Sequence, residues 1–135
     1  MSTTLRDHPT YARRAAEVVA GMLGIRAAAV LGGERGRHAV HARHVVAYAL
    51  RKARGRSYPE IGRELGYRDH TTVMHACAKV EGLLEDPTPS EHMLQTRRLV
   101  AAAIGAIGGS RARLEALDDW WARQCAIADG IRRSA

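Results

Sequence analysis

Two helix-start signals, Ser57 and Asp69, stand twelve positions apart in the middle of this 135-residue chain, with Gly66 three positions before the second. Ser57-Tyr58-Pro59-Glu60 reads as a capping box: the Ser57 hydroxyl can accept from the backbone N–H three residues on, while the Glu60 side chain reaches back to the Ser57 backbone. Pro59 falls in the first turn, where no helical donor is needed. This helix is short, because Leu65-Gly66 offers the left-handed stop that a tight turn uses. Asp69 then caps a second helix, His70 to about Leu84. Its apolar side is Val73, Ala76, Cys77, Val80 and Leu84, which leaves His70, Thr71, Thr72, His75 and Lys79 for other faces. Two helices joined by a glycine-containing turn, the second opening on small polar side chains, form a helix-turn-helix pattern.

The flanking sequence predicts more helix. Tyr11 to Leu23 places Ala12, Ala15, Ala16, Val19, Met22 and Leu23 on one face, and Gly24 ends it. A short apolar turn, Ile25 to Leu31, leads into Gly32-Gly33-Glu34-Arg35-Gly36-Arg37-His38, read as a flexible basic loop. A helix from about Val40 to Ala53 follows, with Ala42, Val45, Val46, Ala49, Leu50 and Ala53 inward and Arg43, His44, Arg51 and Lys52 on its other face. Asp86-Pro87-Thr88-Pro89 breaks the chain, Ser90 caps a helix over Glu91 to Ile107, and a last helix spans about Ala112 to Ile131 with Trp121 in its apolar stripe. Phe is absent and the chain is rich in alanine, the best helix former, so the core must come from Ala, Val, Leu and Ile and the class is all-α. The organisation expected is a frayed start (1–10), a helix-turn-helix domain (11–84) and a C-terminal helical hairpin (85–135). That hairpin has three readings: packing on the domain, self-association, or docking of a partner.

Charge placement points to a polyanion. Residues 1–84 hold 14 Lys and Arg against 7 Asp and Glu, and residues 85–135 hold 7 of each. From Arg35 to Arg56, seven basic residues face no acidic one, a field that steers a phosphate backbone and releases its counterions. Cys77 and Cys125 form no CxxC or Cys/His spacing, so reduced thiols and no metal are expected. The longest apolar run, Leu99 to Ile107, is about half of what spans a bilayer, and no signal-peptide stretch opens the chain. A cytoplasmic, nucleoid-associated location follows as an expectation.

The run from Ser57 to Ala76, SYPEIGRELGYRDHTTVMHA, resembles the signature of the DNA-binding domain of the bacterial replication initiator DnaA, typically S-L-P-E-I-G…F-G-G-R-D-H-T-T-V-x-H-A. The likeness extends from about Ala16 to Leu84. It implies a TrpR-like helix-turn-helix bundle that binds double-stranded DNA at DnaA boxes, consensus TTATCCACA. Residue by residue it implies base reading in the major groove by Asp69, His70, Thr71 and Thr72, and a minor-groove contact by Arg35, assisted by Arg37. Arg43, His44, Arg51, Ser57, Tyr58, Pro59, Arg68, His75 and Lys79 fall at or beside positions that hold the phosphate backbone. Tyr67 departs from the pattern, where the family has glycine, and so does Glu34, which puts a negative charge in the basic loop. No GxxxxGK[ST] occurs, so no nucleotide cofactor and no ATP-driven step are carried over, and the chain is not expected to be an enzyme.

Plainer readings stand beside these. Asp69 serves as an N-cap whatever else it does, Thr71 and Thr72 suit any first turn, and Arg35 could be merely solvated. His70 and His75 are five apart, off one helical face, and His41 and His44 lack a third ligand for a metal. The rival function is an adaptor that grips a replication or phage protein through residues 91–131, with non-specific DNA binding. A phage- or plasmid-borne replicon is one setting for either function.

Overall fold

The structure, a computed structural model, describes residues 10–88 and 90–108. Six α-helices follow one another among them: α1 (Thr10–Leu23), α2 (Ala27–Leu31), α3 (Arg37–Arg54), α4 (Tyr58–Leu65), α5 (His70–Glu85) and α6 (Glu91–Ile107). The frayed start expected over 1–10 falls outside the described residues apart from Thr10, and the last helix with Trp121 lies wholly outside them.

α3 is the pillar. Ala39, Ala42, Val45, Val46, Ala49, Leu50 and Ala53 are buried along it, and α1, α5 and α6 all pack on it. Small side chains let these helices approach closely, so a core without phenylalanine still closes. α1 contributes Ala12, Ala15, Ala16, Val19 and Ala20, the heptad-like spacing of one face. The helix-turn-helix docks through Ile61 and Leu65 of α4 and Val73, Val80 and Leu84 of α5. Each such buried aliphatic side chain contributes roughly 1.5–3 kcal/mol.

Two local differences from the sequence reading concern the basic loop. The apolar turn after Ile25 is a helix of five residues, burying Ala29, Val30 and Leu31. It ends on Gly32, whose N–H bonds the Ala28 carbonyl at 2.7 Å; a Cβ there would stand 2.6 Å from that same oxygen, so the position takes glycine only. α3 also begins three residues early, at Arg37. Gly36 supplies no capping side chain, but its carbonyl accepts from Val40 at 2.9 Å and Ala39 is buried, which anchors the extra turn.

α6 shares this core, with Leu99, Val100, Ala103, Ile104 and Ile107 in the same cluster as α1 and α3. Ser90 caps it by accepting from the Met93 N–H at 3.1 Å. The buried Arg97 donates to the Leu84 carbonyl at 2.9 Å, one of the last α5 carbonyls with no helical donor. Thr96, also buried, donates its hydroxyl to the His92 carbonyl at 2.7 Å and meets His41 Nε2 at 3.0 Å. With its one proton committed, that hydroxyl must accept from His41, which fixes the Nε2–H form of the ring. No helix among the described residues is long and apolar enough to cross a membrane.

Candidate nucleic-acid interface

α4, a four-residue turn and α5 build the motif from the caps read in the sequence. Ser57 and Glu60 form the reciprocal capping box, with Glu60 N–H to Ser57 Oγ at 3.2 Å and Ser57 N–H to Glu60 Oε1 at 3.3 Å. The Ser57 hydroxyl also donates to Glu60 Oε1 at 2.8 Å, and these bonds hold the Glu60 carboxyl below its usual range. Gly66 closes α4 at φ 76°, where a Cβ would be strained, and Tyr67 follows with its N–H on the Gly62 carbonyl at 2.9 Å. The Tyr67 ring turns inward against the core, and burial pushes its phenol up to about 12. This departure from the family's glycine is thus accommodated behind α5, not on its solvent face.

Asp69 Oδ1 accepts from the Thr71 N–H at 2.9 Å and caps α5; that bond holds its carboxyl below the ordinary value. Asp69, His70, Thr71 and Thr72 are all exposed. Spacings of three and four residues continue Thr72 into His75 and Lys79, also exposed, so one solvent stripe of α5 runs from the four-residue tip to a cation. Arg68 is exposed beside the tip.

Arg43 corrects the phosphate-binding expectation. It is only 6% exposed, with Nε on the Val30 carbonyl at 2.8 Å and Nη2 on the Ala29 and Glu34 carbonyls at 3.1 and 2.8 Å. A signal for this lay in the sequence: Arg43 is four residues after Ala39 and three before Val46, hence on the inward face. Its guanidinium ties the loop after α2 to α3, so the loop read as flexible is pinned at Glu34. The Glu34 side chain in turn pairs with Arg26 at 3.0 Å, at the exposed outer edge. Between these ties Arg35 stays exposed, as does Arg37 in the first turn of α3.

The remaining predicted residues divide into two groups. Arg51 lies over the Tyr58 ring at 4.3 Å and donates to the Arg56 carbonyl at 3.0 Å, so Arg51 and Tyr58 stitch the end of α3 to the start of α4, with the Ser57 cap between them and Pro59 exposed next to them. His44 instead shares a cleft with Arg35, Arg37 and Lys79. Burial first, then the charges of Lys79 and Arg43, lower its pKa. Sequence reasoning missed two further members of that cleft, His41 and His92, because 51 residues separate them. Among the described residues no group of three or more His, Cys, Asp or Glu side chains could hold a metal.

The chain is similar in sequence to known proteins. The chromosomal replication initiator protein DnaA of Rhodopseudomonas palustris (strain BisB5) is 40% identical over 82 residues, 60% of this chain and 17% of the relative. That of Bartonella quintana (strain Toulouse) is 42% identical over 72 residues, 53% of this chain and 15% of the relative. That of Rhizobium meliloti (strain 1021) is 37% identical over 84 residues, 62% of this chain and 18% of the relative. The chain therefore spans less than a fifth of the length of the curated relatives it matches. No solved structure matches. Residues 13–80 match the family described as "Bacterial dnaA protein helix-turn-helix", which is half of the chain, and the chain belongs to that family.

Proposed function

We propose that this chain binds double-stranded DNA sequence-specifically at DnaA-box-like sites and acts in replication initiation or transcription through occupancy, with no nucleotide hydrolysis of its own. One observation carries the reading: the exposed opening turn of α5, Asp69 to Thr72, continues into His75 and Lys79 on a single solvent stripe. A stripe of this form can lie in a major groove, its tip against base edges and its far end against phosphates. Asp69 Oδ1 caps the helix, so the second carboxylate oxygen is available to an exocyclic amino group. His70 and the two threonine methyls offer contacts to thymine, and Arg35 on its pinned loop suits a narrow minor groove. Arg68, His75, Lys79 and His44 hold phosphates; Arg51, Ser57, Tyr58 and Pro59 shape the surface beside them. The relatives are named as chromosomal replication initiators, which supports the replication-initiation reading.

A titration of a TTATCCACA duplex against a scrambled one tests this, repeated for His70→Ala and Arg35→Ala. The unmodified chain prefers the box, and His70→Ala gives up about 1–3 kcal/mol of that preference. Equal affinity for both duplexes would remove sequence-specific reading and leave the adaptor.

A further inference from the structure

At the far end of the α5 stripe, four segments converge on a cleft of about 370 Å³. Arg35 comes from the loop, Arg37, His41 and His44 from α3, Lys79 from α5 and His92 from α6, over a floor of Val40, Val80 and Leu83. Among the described residues no carboxylate lines it. An apolar floor under cations strengthens their attraction for an anion, because less water screens it.

The walls are held in place. Arg43 fixes the carbonyl of Glu34, the residue before Arg35. His41 is pinned by Thr96, and its ring rests against the His92 ring with centroids 4.7 Å apart. Thr96 also grips the His92 carbonyl, so both the backbone and the ring of His92 are oriented while its side chain stays exposed.

We propose that this cleft seats one backbone phosphate of the duplex, and that His92 extends the DNA interface onto α6, beyond the residues matched by the family. The proposal rests on the DNA-binding reading and deepens it. Lys79 lies ten residues from Asp69, roughly 15 Å along α5, comparable to the major-groove width of about 12 Å, so a tip among bases brings the cleft to the flanking backbone.

The cleft also links binding to protons. Burial and the surrounding cations keep His41 and His44 neutral: His38, His44, Lys79 and His92 face His41, and Lys79 and Arg43 face His44. A seated phosphate cancels that field, which favours protonation of His44 and makes binding tighter as pH falls. His41, held down chiefly by burial, stays neutral.

The test is anisotropy titration of box and scrambled duplexes with the unmodified chain, His92→Gln and His92→Lys, across salt, at pH 6 and pH 8. His92→Gln should weaken both duplexes alike, on the order of threefold to tenfold, keep their ratio, and flatten the salt dependence. His92→Lys, which puts a permanent cation at the seat, should bind both duplexes at least as tightly as the unmodified chain at both pH values. Ring signals of His44 and His92 in NMR should move with stoichiometric duplex. Both variants matching the unmodified chain at both pH values, with His70→Ala still losing discrimination, overturns the seat but not the DNA reading. Absent discrimination in the unmodified chain, with His92→Gln still flattening the salt slope, sinks box recognition and keeps the seat. Ring signals that move with inorganic phosphate and not with duplex assign the cleft to a free oxyanion and overturn the proposal.

Discussion

Arg43 shows how one side chain can belong to the wrong class by composition and the right one by position. Its Nε satisfies the carbonyl of the buried Val30, and its Nη2 adds bonds to the Ala29 and Glu34 carbonyls that tie the loop to α3. Arg43→Met keeps the apolar stem and deletes the donors, so it should cost about 2–5 kcal/mol, read as a lower unfolding midpoint. Arg43→Lys should recover only part, since an ammonium cannot reproduce the planar fork. An unchanged midpoint in Arg43→Met would mean that the guanidinium does not hold the loop. Asp69 makes the opposite point: the cap uses one carboxylate oxygen, so the base reading proposed for this residue can use the other.

Among the elements, those announced by local chemistry were legible. The Ser57 box, the Gly66 stop, the Asp69 cap and the Ser90 cap all appear where the sequence put them, because each is satisfied within about four residues. α2 and the first turn of α3 were not, since neither has a capping side chain and both depend on packing. Ser57→Ala should therefore cost about 0.5–2 kcal/mol in a denaturant titration, with the slope unchanged. Ser57→Asp, which keeps a capping acceptor, should cost less. Equal losses for the two would show that something other than the cap is at stake, such as the hydroxyl's bond to Glu60.

For the whole molecule, the junction of α3 and α6 matters most. The expected domain limit near residue 84 leaves out α6, yet α6 fills the same core as α1 and α3. His41 stands at that junction with its pKa lowered from 6.5 to about 4, chiefly by burial and then by its histidine and lysine neighbours. The folded chain thus binds fewer protons than the unfolded one, so the His41 contribution is complete above about pH 6.5 and is lost as pH falls towards 4. Discounted for solvent screening at a half-buried ring, it amounts to on the order of 1–2 kcal/mol. Glu64, raised by burial, works in the opposite direction, and Asp69 and Glu60, lowered, in the same one. Comparing unfolding midpoints of the unmodified chain and His41→Gln from pH 7.5 to 4.5 isolates the histidine. The two curves should converge on the acid side; parallel curves would refute a neutral His41 in the fold.

Sequence alone determined the helical class, the helix-turn-helix and the exposed tip, because periodicity, caps and glycine stops act over one or two turns of chain. Only tertiary structure decided that Arg43 is an internal anchor, that Tyr67 turns inward, that α6 completes the core and that His92 meets His41 in the cleft that Lys79 also lines. Those outcomes depend on which buried carbonyls lack donors and which distant faces share a core, and both are settled by contacts between residues far apart in the chain.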